Sequence, residues 1–299
     1  MSFFEQYRFI IPDFPRFQES LHTPLPVHLR VNRLRITPQR LERLLAEKGV
    51  PVKPALDPYD TLYTAPGLAS PGNLLEYYLG YIHPQALTSC LAGIALSPHP
   101  GAYLLDMCAA PGGKSAHCAE LMDNTGLVIA NDLYTTRHTA LGHTLSRLGV
   151  FNALITGYQA QQFPMHQRFD YVLADVPCSG EGRFRETKTG VGFREHKGRV
   201  KLEDVQRRII LRGFDLLTQG GEMLYSTCTY NPDENESVVN YLLQERPATL
   251  CPIPITAPFE PGILKWKDQC YDKRLIQAAR FYPHQINSVG FFMARIVRE

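Results

Sequence analysis

A Rossmann-like α/β fold, with a mostly parallel sheet covered by helices on both faces, is predicted by three features of the sequence. Short apolar runs alternate with helical patterns from Ala102 onward, the first run ends in a turn of small residues (CAAPGGKS), and Asp132 closes the second run. Apolar runs of strand length separated by helical stretches read as buried strands in βαβ units. The strands in order are YLLDM, LVIAND, NALIT, FDYVLADV and GEMLYSTCT, with a last one in GFFMARIVR after residues 280–284. Ahead of them, residues 29–35 alternate like a short strand. Thr37 and Pro38 then offer a helix cap and first position, and Leu41, Leu44 and Leu45 form an apolar face that stops at Gly49. This reads as a small α/β appendage, residues 1–70, that leaves through the Pro/Gly-rich stretch 51–72 and joins the Rossmann-like domain, residues 71–299.

Composition narrows the class. With 299 residues, 44% hydrophobic and 20% charged, the chain can bury a full core. A net charge of +2 does not by itself call for a polyanionic partner, so any such argument must rest on local clusters. The seven cysteines are scattered and form no CxxC pair, which argues against a disulfide framework or a zinc site and for a reducing cytoplasm. His83, His117 and His284 share no metal-ligand spacing. The N-terminal MSFFEQYRFIIPDFPRF carries charges and prolines, so it reads as neither signal peptide nor anchor, and a soluble protein with no membrane partner is expected.

The loop after the first strand points to a small-molecule ligand. In LLDMCAAPGGKSAHCAELM small residues let backbone approach a ligand, and the following helix N-terminus supplies donors. A phosphate-binding P-loop would need Gly where Cys108 stands, and GxGxxG is absent. A close-approach loop without a phosphate cradle suits S-adenosylmethionine, which has a carboxylate and an amine. Asp132 lies ~20 residues past the glycines, where an acid can take two ribose hydroxyls.

Two cysteines fall just past strand ends on the same edge of the sheet: Cys178 in ADVPCSGEG, with Asp175 before it, and Cys228 in LYSTCTYNPDENESVV. A lone cysteine is usually a buried structural thiol, but Asn231 as cap, Pro232 at the first position and Glu234 three residues on predict a helix N-terminus close to Cys228. Such an end favours a thiolate, so Cys228 is a candidate nucleophile. Tyr225 and Tyr230 beside it fit base stacking or core packing.

The segments LLDMCAAPGGKS, ADVPCSGEG, YSTCTYNPDENESVV and YPHQINSVGFFMAR, with VHLRVN upstream, resemble in order and spacing the Sun (Fmu/RsmF-like) family of RNA cytosine 5-methyltransferases, over about residues 25–297. The resemblance implies a class I methyltransferase sheet and S-adenosyl-L-methionine as cofactor. It implies that Cys228 attacks carbon 6 of cytosine, that Cys178 helps release the methylated base, and that Asp175 hydrogen-bonds the cytosine edge with Lys114 near the reacting centre. Cofactor contacts are implied for Cys108, Ala109, Ala110, Pro111, Gly112, Gly113, Lys114, Asp132, Arg137 and Asp175. Two positions depart from the family pattern. Gln159 stands where an Asp is common after the third strand, and its amide is expected to meet the adenine amino group; the usual QDxSS-like segment is HPQALTS here, keeping Gln85.

The expected partner is rRNA or tRNA, and a monomer suffices. Between Arg183 and Arg212 ten Lys or Arg stand against four Asp or Glu, directly after the Cys178 motif, as a phosphate-contacting surface would require. Arg30, Arg33, Arg35, Arg40 and Arg43 make the appendage a second RNA-docking candidate. Competing readings are a non-catalytic RNA-binding or ribosome-assembly module, which leaves both cysteines without a role, a nicotinamide-dependent oxidoreductase, and methylation of DNA.

Overall fold

Why the chain folds as it does is clearest from its strands, each of which presents alternate residues to two separate apolar layers. The computed structural model describes residues 2–185 and 201–299. In chain order, helix α1 (Phe14–Leu21), strand β1 (His28–Val31), helix α2 (Pro38–Glu47), strands β2 (Lys53–Pro54) and β3 (Leu62–Thr64), helix α3 (Leu75–Tyr78) and strand β4 (Ile82–Pro84) come first. The four strands form an antiparallel sheet in the order β2-β3-β1-β4. Helix α2 starts at Pro38 behind Thr37 and buries Leu41 and Leu45 against Leu29, Val31 and Tyr63, while Gly49, at φ +68°, takes the chain out of the helix.

Helix α4 (Leu87–Leu96) leads into the main sheet: β5 (Tyr103–Asp106), α5 (Gly113–Leu121), β6 (Leu127–Asn131), α6 (His138–Leu148), β7 (Ala153–Thr156), β8 (Phe169–Asp175), α7 (Leu202–Asp215), β9 (Leu217–Thr227), α8 (Glu236–Glu245) and β10 (Ala248–Cys251). Short strands β11 (Glu260–Pro261), β12 (Lys265–Trp266), β13 (Gln269–Cys270) and β14 (Ala279–Phe281), helix α9 (Pro283–Ile286) and β15 (Phe291–Arg298) finish the chain. The sheet order is β11-β14-β15-β9-β8-β5-β6-β7, with β10 also on β15. Strands β9, β8, β5, β6 and β7 run parallel, whereas β15, β14, β11 and β10 are antiparallel additions. The parallel core is thus as expected, and its antiparallel flank is wider than the single final strand the sequence suggested.

Leu105, Val172, Ala174, Met223, Tyr225, Phe292 and Ala294 face one layer, with α1, α7 and α8; Leu104, Leu173, Leu224 and Met293 face the other, with α4 and α5. Alternation of this kind is what a strand buried on both faces requires. Helix α6 lies beside α5, burying Leu141, Leu145 and Leu148 on Ala116 and Ala130. Residues 4–21, read from sequence only as a non-anchoring N-terminus, bury Phe4, Tyr7, Phe14 and Phe17 in the first layer, where Phe17 meets Tyr230 edge-on at 5.3 Å.

Two buried ion pairs tie the frame together. Arg30 of β1 meets Glu120 of α5 and so joins the small sheet to the helix of the ligand loop. Arg280 of β14 donates to both oxygens of Glu236 at the head of α8, and to the carbonyl of Tyr230 at 3.1 Å. Removing one partner of such a pair strands a buried charge, which costs about 3–5 kcal/mol. Arg280→Met should therefore lower the unfolding free energy by about that amount, read as a urea midpoint shift; a loss below about 1 kcal/mol would show that Glu236 finds another partner or water.

Candidate active site

Strand order reverses between β5 and β8, with β6 and β7 to one side and β9 to the other. Their following helices, α5 and α7, cross to opposite faces, so the loops after β5 and β8 part and leave a crevice at the carboxyl ends of the strands. Two adjoining cavities occupy it. A smaller one of about 150 Å³ is lined by the β5 loop together with His83, Gln85 and Ser89. A larger one of about 1090 Å³ holds Cys178, Cys228, Arg137 and Arg183, and Lys114 and Asp175 line both.

The β5 loop is held by two buried acids. Asp106 accepts from Ser115 Oγ at 2.6 Å and from the Cys108 amide at 3.4 Å. Asp132, just beyond β6, accepts from the Ala110 amide at 3.1 Å and the Tyr134 amide at 3.2 Å, and pairs with Arg137 at 3.0 Å. The glycines are required by space. A Cβ on Gly113 would come within 2.8 Å of His83 Nε2, and Gly112, at φ +104°, would drive one to 2.9 Å from Leu141. Burial pushes the Asp106 carboxyl up to about 7, against the lowering effect of the Ser115 hydrogen bond. Desolvation, with Arg30 and Arg147 nearby, lowers the His83 imidazole to about 3, which keeps it neutral.

At the next strand, Lys114 Nζ from the first turn of α5 donates to Asp175 Oδ2 at 2.8 Å, and Ser226 Oγ donates to Asp175 Oδ1 at 2.8 Å. The sulfurs of Cys178 and Cys228 lie 3.4 Å apart as free thiols. Their environments differ in sign. The hydrogen bond from Cys178 lowers the Cys228 thiol below its ordinary value, assisted by the charges of Lys114 and Arg183 and opposed by desolvation and Asp175. The same hydrogen bond, with burial, raises Cys178 well above the ordinary value. Cys228 is thus the sulfur of the pair shifted toward thiolate, although the Cys228 amide also donates to Cys178 Sγ at 3.4 Å.

Several expectations are corrected. Asn231, Pro232 and Glu234 do not start a helix: they form a turn in which Asn231 Oδ1 accepts from the Asp233 amide, and α8 begins only at Glu236, eight residues past Cys228. The Cys178 hydrogen bond, rather than a helix end, is therefore the first cause of the lowered Cys228 thiol. Tyr225 and Tyr230 are core residues, the former bonded to the Glu234 carbonyl at 2.6 Å. Arg30 is fully buried on Glu120, and Arg185 is buried with its guanidinium on the Ser288 carbonyl, so neither presents a phosphate contact. Much of the basic stretch, residues 186–200, lies outside the described residues.

Of the residues singled out from sequence, Cys108, Ala109, Ala110, Pro111, Gly113, Lys114 and Asp175 line the smaller cavity, and Cys178, Cys228 and Arg137 the larger. Gly112 caps α5 and Asp132 stands behind the loop. Gln159 is exposed, accepts from Gln161 at 3.0 Å and lines neither cavity. Sequence reasoning passed over Asp106, although it ends the first strand motif, and read His83 only as a structural or polar contact, its place beside Gly113 depending on a contact thirty residues away. Among the described residues no group of His, Cys, Asp or Glu could hold a metal ion, and no helix is long and apolar enough to cross a membrane.

The sheet order and crevice define the Rossmann-like fold of class I methyltransferases. A crystal structure from Pyrococcus horikoshii, described as a methyltransferase homolog, superposes with a TM-score of 0.85 at 30% identity, over 98% of this chain and 93% of that one. The family model described as 16S rRNA methyltransferase RsmB/F matches residues 93–297, and the chain belongs to that family. It is 32% identical over 300 residues to the tRNA (cytosine(49)-C(5))-methyltransferase of Pyrococcus abyssi, covering 96% of this chain and 92% of that protein. It is 35% identical over 292 residues to the 26S rRNA (cytosine-C(5))-methyltransferase nsun-1 of Caenorhabditis elegans, covering 94% of this chain and 43% of that protein. The chain spans less than half the length of several curated relatives that it matches.

The Asp106 shift predicts a pH dependence. Its folded value, about 7, lies above the ordinary 3.8, so the protonated carboxyl contributes stability below pH ~4 that is lost as pH rises through 7. Glu181, also raised to about 7, acts in the same direction, so the comparison must be between variants. Asp106→Asn should flatten the fall in urea midpoint between about pH 4 and 7; an unchanged slope would remove Asp106 as its source.

Proposed function

We propose that the protein is an RNA (cytosine-5-)-methyltransferase that takes its methyl group from S-adenosyl-L-methionine and works through a covalent cysteine adduct. The observation that carries this reading is the pair of free sulfurs 3.4 Å apart beside the Lys114–Asp175 ion pair. Relatives named as rRNA and tRNA cytosine-C5-methyltransferases support the substrate class.

The residues of the smaller cavity fit the cofactor. Gly113 lets the loop lie against His83, the loop has no phosphate cradle, and the Asp106 carboxyl lines the cavity, where an amine could meet it. Cys108 to Lys114, with Asp132 and Arg137, would hold it, and Gln159 would reach the adenine only by turning from its present bond to Gln161. When bound, the sulfonium supplies an electrophilic methyl carbon.

The protein's own groups then divide the work. Cys228 Sγ adds to carbon 6 of cytosine, forming a C–S bond and moving the 5,6 electron pair toward carbon 5, which makes that carbon nucleophilic. Asp175, fixed by Lys114 and Ser226, hydrogen-bonds the cytosine edge and steadies the altered ring. After methylation the carbon 5 proton passes to water, its C–H electron pair re-forms the 5,6 double bond, the C–S bond breaks, and Cys228 departs as thiolate beside Cys178. The base must leave its stack to enter the crevice, so the target is unpaired or flipped out. Arg183 at the cavity wall is placed for a backbone phosphate.

Incubation with RNA and S-adenosylmethionine tests the assignment on denaturing gels. Cys178→Ala should accumulate a protein–RNA adduct because release is slowed, and Cys228→Ala should form none. Equal adduct in both variants would reject the two roles, and RNA binding with no adduct or methyl transfer in any form would favour a binding module.

A further inference from the structure

The two cysteines stand on different loops, and one buried carboxylate spans both. Glu234, 2% exposed, lies in the turn that follows Cys228. Its Oε2 accepts from the Ser179 amide, next to Cys178, at 2.9 Å, and from Gln206 Nε2 of α7 at 3.0 Å, while Gln206 Nε2 also donates to the Pro177 carbonyl at 2.8 Å. Its Oε1 accepts from Asn231 Nδ2 at 3.4 Å within its own turn. Around this centre Ser179 Oγ meets Thr229 Oγ1 at 2.8 Å, and the Gly182 amide donates to the Cys228 carbonyl at 2.9 Å.

We propose that Glu234 is a positioning residue for the reaction, its carboxylate fastening the Cys178 loop to the Cys228 turn and so fixing the separation of the two sulfurs. It touches neither cavity, so it acts through the cysteines rather than on a substrate. Hydrogen bonds to a charged acceptor are about twice as strong as neutral ones, and this one joins segments 55 residues apart in sequence. The charge has a second effect, since Glu234 helps to raise the Cys178 thiol and keep it a donor to Cys228. The other charged groups facing the pair are Lys114, Asp175 and Arg183 at Cys228, and Glu181 beside Glu234.

The inference rests on the methyl-transfer reading, but its test needs neither RNA nor cofactor. Iodoacetamide alkylation of the free protein, in which a thiolate sulfur displaces iodide, is followed at Cys228 and Cys178 by mass spectrometry across pH. In Glu234→Ala the half-point for Cys228 should rise toward the ordinary cysteine value, ~8.5, with about tenfold slower reaction at neutral pH for each unit of rise. Glu234→Gln is the conservative variant: its amide oxygen can still accept from Ser179, and its NH₂ can donate to Gln206 Oε1, which is buried without a partner. It should keep the native Cys228 profile while the half-point of Cys178 falls, because the charge is gone. A native Cys228 profile in folded Glu234→Ala would overturn the proposal. If that variant does not fold, an unmoved Cys178 in Glu234→Gln would overturn it instead. Failure of methyl transfer in the native protein, with these shifts present, would count against the function and not against the positioning role.

Discussion

The crevice between β5 and β8 is the constraint on which the rest of the molecule depends. The two strands are parallel neighbours, with Asp106 opposite Leu173, yet their helices leave toward opposite faces. The space left at their carboxyl ends has to be bridged by side chains, and Lys114 of α5 reaching Asp175 of β8 is that bridge. Next along the sheet, β9 delivers Cys228 beside the β8 loop and so brings two thiols together. Placing such groups on strand ends, with loops fixed by buried acids, gives a site that is organised before a ligand arrives.

How far the sequence reveals this depends on the range of the interaction. Strands β5 to β9 are legible because a buried parallel strand is a continuous apolar run. The two- to four-residue strands β10, β11 and β14 carry no such pattern and exist because β15 offers β10 and β14 an edge and β14 in turn offers one to β11. The ligand loop and both cysteines can be read from local motifs. Glu234 is misread for the same reason: its spacing from Asn231 is that of a capping box, but its carboxylate bonds an amide 55 residues away. Asp132 is buried behind the ligand loop and bonded to the Ala110 and Tyr134 amides, whereas Gln159 faces solvent, and no local rule distinguishes those outcomes.

Charge along the sequence is a poorer guide to a phosphate-binding surface than charge in space. Arg30, Arg185 and Arg280 are all buried, bonded to Glu120, the Ser288 carbonyl and Glu236 respectively, and Arg212 donates to the Gln161 carbonyl. Arg40 and Arg43 on α2 remain exposed, and Arg183 remains at the larger cavity. The small sheet is thus attached to the ligand loop's own helix through Glu120, which takes both the Arg30 guanidinium and the Arg33 amide.

The central claim is tested most directly by incubating the protein with RNA from cells that lack the activity and with S-adenosylmethionine labelled in its methyl group, then digesting the RNA to nucleosides. The account predicts label in 5-methylcytosine, abolished by Cys228→Ala. RNA binding with no transfer of label would contradict it.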